Sequence, residues 1–190
     1  MTKRIEDCKM SAMDATSKVV IVTGCTQGLG YHAVKSLAEK LSGPCDTDLP
    51  YQCIVLCCRN VAAARKVAQE ISQKTKCEAS RLVVLDEPCN LSEPDSVRSY
   101  FLSLKRFLGA RKIVSLVNNA GIGGNPVYNT TSKGYDQIWA TNHLGHFLLT
   151  LLCLPHMADG SRLVNVSSEV HDPASKTGLP DADENWPQVE

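Results

Sequence analysis

The chain has 190 residues, 43% of them hydrophobic, with 20 basic and 20 acidic side chains and a formal net charge of zero. That length and balance suit one globular domain with its own core and exclude a disordered chain. No basic run is long enough to track a phosphodiester backbone and no apolar run is long enough to span a bilayer, so neither a nucleic-acid partner nor a transmembrane segment is expected.

Residues 1–17 are polar, mixed in charge and without the apolar stretch of a signal peptide. They are expected to form a flexible N-terminal segment ahead of a domain at 18–190. The first strand is predicted at 19–23, the apolar run Val19-Val20-Ile21-Val22 with Thr23. Thr23-Gly24-Cys25-Thr26-Gln27-Gly28-Leu29-Gly30 follows, and a helix is predicted from about 29 to 41 with Ala33, Leu37, Ala38 and Leu41 on one stripe. A glycine-rich turn between a strand and a helix start is a phosphate cradle: backbone N–H groups converge, the helix dipole favours an anion, and the missing side chains admit a diphosphate. Gly43-Pro44 stops that helix, and a polar insertion at 45–51 leads to a second strand at 53–58.

A helix is predicted over 61–73, with Val67 and Ile71 four apart, and a third strand over 82–85. Ser92 is expected to cap the next helix, with Glu93, Pro94 and Asp95 in its first turn and its end near Leu108. A fourth strand at 113–117 precedes a loop holding Gly121, Gly123, Gly124 and Pro126. A long helix over about 132–155, a fifth strand at 162–166 and a polar, proline-bearing loop from His171 complete the chain. Strands alternating with helices predict an α/β fold, a Rossmann-like doubly wound parallel sheet that stops after its fifth strand.

Nine cysteines are spread along the chain. Cys57 and Cys58 are neighbours in a predicted strand and point to opposite faces, so they do not share an ion with Cys53, and no Cys-x-x-Cys accompanies them. His143 and His146 lie three apart with no third ligand in view, and are read as packing features. No metal site is expected. Reduced, structural thiols match a cytoplasmic location.

Four further features share the order of the glycine turn: Arg59 after the second strand, Asn118-Asn119-Ala120-Gly121 after the fourth, Thr141-Asn142-His143-Leu144-Gly145-His146-Phe147 on the long helix, and Ser167-Ser168 after the fifth. From about Lys18 to His171 the set resembles the short-chain dehydrogenase/reductase family. The Asn-His-Leu-Gly-His-Phe and Val-Asn-Val-Ser-Ser pieces look most like its retinol dehydrogenase, protochlorophyllide reductase and WW-domain oxidoreductase branch.

The resemblance implies that Thr23, Gly24, Thr26, Gln27, Gly28, Leu29 and Gly30 hold the cofactor phosphates, and that Asn119, Ala120 and Gly121 pack beside the cofactor. Arg59 stands where an acid would favour NAD, and its forked guanidinium suits a 2′-phosphate, so NADP(H) is the expected cofactor. Asn90 takes the adenine-side position, with Asp86 as rival. Asn142 resembles the helix asparagine whose carbonyl holds an active-site water. Ser168 resembles the serine that orients the reacting oxygen, with Ser167 as the neighbouring alternative.

The family also uses a Tyr-x-x-x-Lys pair after this serine, and no tyrosine follows Tyr135 here. The pair Tyr31 and Lys35 has the spacing but lies at the diphosphate end. The expected function is hydride transfer between a carbonyl and an alcohol on a small, apolar substrate, with weak activity in this shortened chain; the rival is a non-catalytic nucleotide-binding or scaffold protein. A homo-oligomer formed through the helix at 132–155 is expected too: the resemblance implies that a following helix packs beside it, often at a dimer interface, and without that partner some of Phe147, Leu148, Leu149, Leu151, Leu152 and Leu154 would face water.

Overall fold

Valine- and isoleucine-rich runs form the centre of a five-stranded sheet in a computed structural model that describes residues 17–42, 49–123 and 129–168. The strands are β1 (Lys18–Thr23), β2 (Cys53–Cys57), β3 (Leu82–Val83), β4 (Lys112–Asn118) and β5 (Met157–Asn165). All pairings are parallel, in the order β3-β2-β1-β4-β5. The order reverses at β1 and β4, so the strand ends open a crevice there, as doubly wound sheets do. The flexible segment expected at 1–17 lies outside the described residues apart from Ser17, as do most of the 45–51 insertion, part of the glycine loop after Gly123, and the chain beyond Ser168.

Two apolar clusters cover the two faces. One gathers Val19, Ile21, Val55, Cys57, Ile113, Leu116 and Leu149 with Val97, Tyr100, Phe101, Leu104 and Leu108 of α3 (Pro94–Leu108). The other gathers Val20, Val22, Ile54, Leu56 and Cys58 with Val34 and Ala38 of α1 (Gly28–Lys40) and Ala64, Ala68 and Ile71 of α2 (Val61–Thr75). Cys57 and Cys58 fall in opposite clusters, as strand alternation requires. The seven described cysteines are buried free thiols. Among the described residues, no helix is long and apolar enough to cross a membrane.

Several boundaries differ from the sequence expectation. Asn60 caps α2, its Oδ1 accepting from Ala63 N–H at 2.9 Å, and the helix runs two residues past the predicted end. Ser92 is not the cap of α3: the helix starts at Pro94 after Glu93, and Ser92 instead donates N–H and Oγ–H to Asn90 Oδ1. β3 pairs with β2 only through Leu82 and Val83, so Val84 and Leu85 are outside the strand.

The long helix starts later than predicted, because 130–136 forms a turn closed by a bridge between Thr130 and Asp136, with Gly134 at φ +82°. Asp136 then accepts from Trp139 N–H at 2.7 Å and starts α4 (Gln137–Trp139). A π-helical turn (Ala140–Leu144) joins it to α5 (Gly145–Cys153), and Pro155 sits in a separate 3₁₀ turn. β5 begins five residues before the predicted position: Met157 pairs with Ile113 of β4, the register shifts across Ala158-Asp159-Gly160-Ser161 with Gly160 at φ +72°, and pairing resumes between Arg162 and Ser115.

Candidate functional site

The C-terminal ends of β1, β2 and β4 surround a cleft of about 460 Å³. Gly24, Thr26, Gln27, Gly28 and Leu29 form one wall, and Cys57, Cys58, Arg59, Asn60, Cys89, Asn90 and Leu91 form the far end. Asn119, Ala120, Gly121 and Ile122 form the floor, and Thr141 and Val166 close the other end. The cleft therefore joins four separated sequence motifs in one continuous groove.

Close backbone approach explains two of the glycines. Gly24 sits at φ +64°, donates N–H to Cys57 O at 3.2 Å, and would bring a Cβ to 2.6 Å from Ala120 Cα. A Cβ at Gly30 would strike Gly24 O and would lie 2.5 Å from Asn119 Nδ2. The glycine turn, the helix start and the end of β4 are in direct contact, with no room for side chains between them. At the start of α1, Gln27 supplies no side-chain cap, and Tyr31 N–H makes the first bond back to Gln27 O at 3.2 Å. The preceding N–H groups of Gly28, Leu29 and Gly30 come before that bond, at the positive end of the helix dipole.

Asn119 pins this arrangement from beneath. Its Nδ2 donates to Thr23 O at 2.9 Å and to Gly24 O at 3.1 Å. Thr23 is buried under the groove rather than lining it, and its Oγ1 accepts from Asn119 N–H and Ala120 N–H, both at 2.9 Å. Gly30 likewise supports the turn from behind. His146, 6% exposed, stands against Thr23: its Nε2 is 2.9 Å from Thr23 Oγ1 and its Nδ1 is 3.0 Å from Asn142 O. Burial pushes the His146 pKa down, and His143 nearby adds to this.

The other expected site residues fall as follows. Arg59 and Asn90 line the far end. Asp86, the rival of Asn90, is exposed and ion-paired with Arg65. Asn142 lies in the π turn, where its Oδ1 accepts from Ile122 N–H at 2.9 Å and its Nδ2 donates to Ile122 O at 3.0 Å. It thus ties the helix to the floor segment through its side chain. Ser167 and Ser168 are exposed just past Val166, whose N–H donates to Asn118 O at 2.9 Å. Tyr31 and Lys35 do not pair with each other: Tyr31 Oη donates to Glu70 at 2.8 Å and Lys35 bonds Glu39 at 2.5 Å.

Sequence reasoning missed His146, Ile122, Thr141 and the thiols of Cys57, Cys58 and Cys89 at the cleft wall. A histidine three residues after another carried no signal that separates a bonded network from packing. Burial raises the Cys58 thiol to about 12 and holds the Cys57 thiol well above its ordinary value, so both stay neutral beside the groove.

A parallel sheet in this order, with a glycine turn feeding a helix at the reversal point, defines an α/β protein of the Rossmann class. Residues 18–178 match the family model for short chain dehydrogenase, and the chain belongs to that family. It is 36% identical over 164 residues to human retinol dehydrogenase 11, covering 85% of this chain and 46% of that one. It is 34% identical over 157 residues to mouse retinol dehydrogenase 12, covering 81% and 44%. Among solved structures, a metagenomic short-chain oxidoreductase in complex with NADP aligns with a TM-score of 0.60 and 26% identity over 82% of this chain and 64% of that one. The chain spans less than half the length of these curated relatives.

Proposed function

We propose that this chain binds NADP(H) in the groove and serves an oxidoreductase reaction that interconverts a carbonyl and an alcohol. The observation that carries the reading is the single groove running from Arg59 and Asn90, past the open helix start at Gly28, to Val166 two residues before Ser168. The residues fit a dinucleotide. Glycine backbone faces the groove at Gly24 and Gly28, and the uncapped start of α1 offers N–H groups to a diphosphate. Arg59 and Asn60 lie at the end expected for the adenosine ribose, where a guanidinium fits a 2′-phosphate and, among the described residues, no carboxylate lines the wall. Asn90 serves the adenine side, and Asn119, Ala120 and Gly121 form the bed.

Bound NADP(H) supplies the hydride. The chain's part is to hold the diphosphate at the glycine turn, orient the reacting oxygen through Ser168, and brace that end through Asn142. The retinol dehydrogenases among its relatives point to an apolar alcohol or aldehyde as substrate. Buried reduced thiols fit a cytoplasmic setting.

A second reading has its own observation: within these 190 residues no tyrosine follows Tyr135, so nothing after Ser168 matches the family's proton-transferring pair. On that reading the chain binds the nucleotide without turning it over. The loss of a positioned acid/base typically lowers rate about 10²–10⁴-fold. Titration with NADPH and NADH, followed by nucleotide fluorescence and thermal unfolding, tests both readings. NADPH should bind at least about tenfold more tightly than NADH, and Arg59→Ala should erase that difference. Equal binding of the two by the unsubstituted chain would end the 2′-phosphate argument, and no binding at all would end the cofactor reading. Binding with no NADPH consumption across apolar aldehydes would favour the second reading.

A further inference from the structure

His146 joins two parts of the site that meet only through the fold: Thr23 at the end of β1, 123 positions away in sequence, and Asn142 in the π turn, 4 positions before it. The proton count in this cluster has one solution. Asn142 O can only accept, so Nδ1 must carry a proton to make the 3.0 Å bond. In a neutral ring Nε2 is then an acceptor, so the Thr23 hydroxyl donates to it across 2.9 Å. That leaves the two lone pairs of Thr23 Oγ1 for Asn119 N–H and Ala120 N–H, both at 2.9 Å. Every donor has an acceptor, and no lone pair of the hydroxyl is left over.

The other tautomer and the charged ring both break this pattern. Each would aim an Nε2–H at an oxygen that already accepts two N–H groups. The Thr23 proton would then have to turn to Val117 O at 3.3 Å, a longer bond. The surroundings agree: Thr23 at the end of β1 meets Nε2 with its hydroxyl, Asn142 meets Nδ1 with its carbonyl, and His143 is the titratable neighbour acting on the ring.

We propose that His146 is a positioning residue which, as the Nδ1–H tautomer, sets the Thr23 hydroxyl so that the Asn119-Ala120 backbone is held flat as the floor of the groove, and couples that floor to the Asn142 turn. The proposal rests on the cofactor reading for its consequence, but the proton arrangement stands on the geometry alone. His146 is buried and is not among the residues that line the groove. It acts through Thr23, whose main-chain oxygen and that of Gly24 are in turn gripped by Asn119 Nδ2.

Three variants separate positioning from packing. In His146→Gln the side-chain amide reaches the Nε2 position and can accept from Thr23. In His146→Asn it reaches only the Nδ1 position. His146→Leu keeps bulk and removes both bonds. Side-chain ¹⁵N NMR of the unsubstituted chain should show Nδ1 protonated and Nε2 bare; the reverse overturns the proposal. Amide hydrogen exchange at Asn119 and Ala120 should quicken about tenfold in His146→Leu and His146→Asn and stay within about threefold of the original in His146→Gln. NADPH affinity should follow the same order, weakening about fivefold to tenfold in the first two. Equal exchange in all three variants, or exchange that follows only their global unfolding midpoints, means that the ring merely fills space. If the unsubstituted chain binds no NADPH, the cofactor reading fails, while the tautomer and exchange measurements still decide this one. If the variants do not fold, the tautomer alone decides it.

Discussion

Gly30 shows how little tolerance the groove has at the level of one side chain. Its missing Cβ leaves room for Gly24 O and for Asn119 Nδ2, the amide that holds the glycine turn in place. Alanine at this position is favourable for an isolated helix, so propensity predicts a gain of up to about 1 kcal/mol. The clash is with backbone on one side and with a bonded amide on the other, and neither can give way cheaply. Gly30→Ala should therefore destabilise the chain by about 1–3 kcal/mol and weaken NADPH binding at least about tenfold, measured by urea unfolding and nucleotide fluorescence. A neutral result in both would mean that the turn is looser than its contacts require. Glycine spacing told where the turn would be, but not that Gly30 faces inward to Gly24 while Gly28 faces the groove. That difference comes from the packing of β4 against the turn.

At the level of elements, α3 and α5 contrast. α3 buries Val97, Tyr100, Phe101, Leu104 and Leu108 on one face, a spacing visible in the sequence. α5 is apolar nearly all round, and the fold covers only part of it. Gly145, His146, Leu149 and Cys153 are buried, whereas Phe147 and Leu151 remain 58% and 48% exposed. Trp139, His143 and Phe147 stack along the same outer line, with ring centroids 5.9 and 6.4 Å apart. β5, at the sheet edge, leaves Leu163 and Val164 exposed as well, and Val166 just beyond it is exposed too. Unpaired strand edges and apolar stripes of this kind promote association. Light scattering should show mass rising with concentration for this chain. Phe147→Glu with Leu151→Lys, which adds a favourable pair four residues apart, should reduce that rise. A monomer at all concentrations would mean that the stripe is inert.

For the molecule as a whole, the buried thiols set an upper limit on pH. Burial raises Cys53, Cys58 and Cys153 to about 12 and Cys57 well above its ordinary value. Above about pH 8.5 the unfolded chain releases these protons while the native chain keeps them, so the native state binds more protons and stability falls as pH rises. Each such thiol removes about 1.4 kcal/mol per pH unit in that window. Unfolding midpoints in urea should drop steeply from pH 8.5 to 10.5, and Cys153→Ala should flatten the slope. A midpoint independent of pH over that range would show that the thiols ionise in the native state.

The sequence alone carried the alternation of strands and helices, the glycine turn, and the family resemblance, because each depends on local spacing or on side-chain type over a few residues. Strand interiors at β1, β2 and β4 and the inward face of α3 were legible for the same reason. The ends of β3 and β5, the start of the long helix and its π turn were not, since ladder pairing and side-chain bonds from distant segments determine them. The sequence preferred Asn90 but left Asp86 as a rival; the fold puts Asn90 at the groove and Asp86 in an ion pair with Arg65. The link from His146 through Thr23 to Asn119 likewise appears in no local pattern, because its partners meet only when β1, β4 and the helix come together and their polar groups, shut away from water, must satisfy one another.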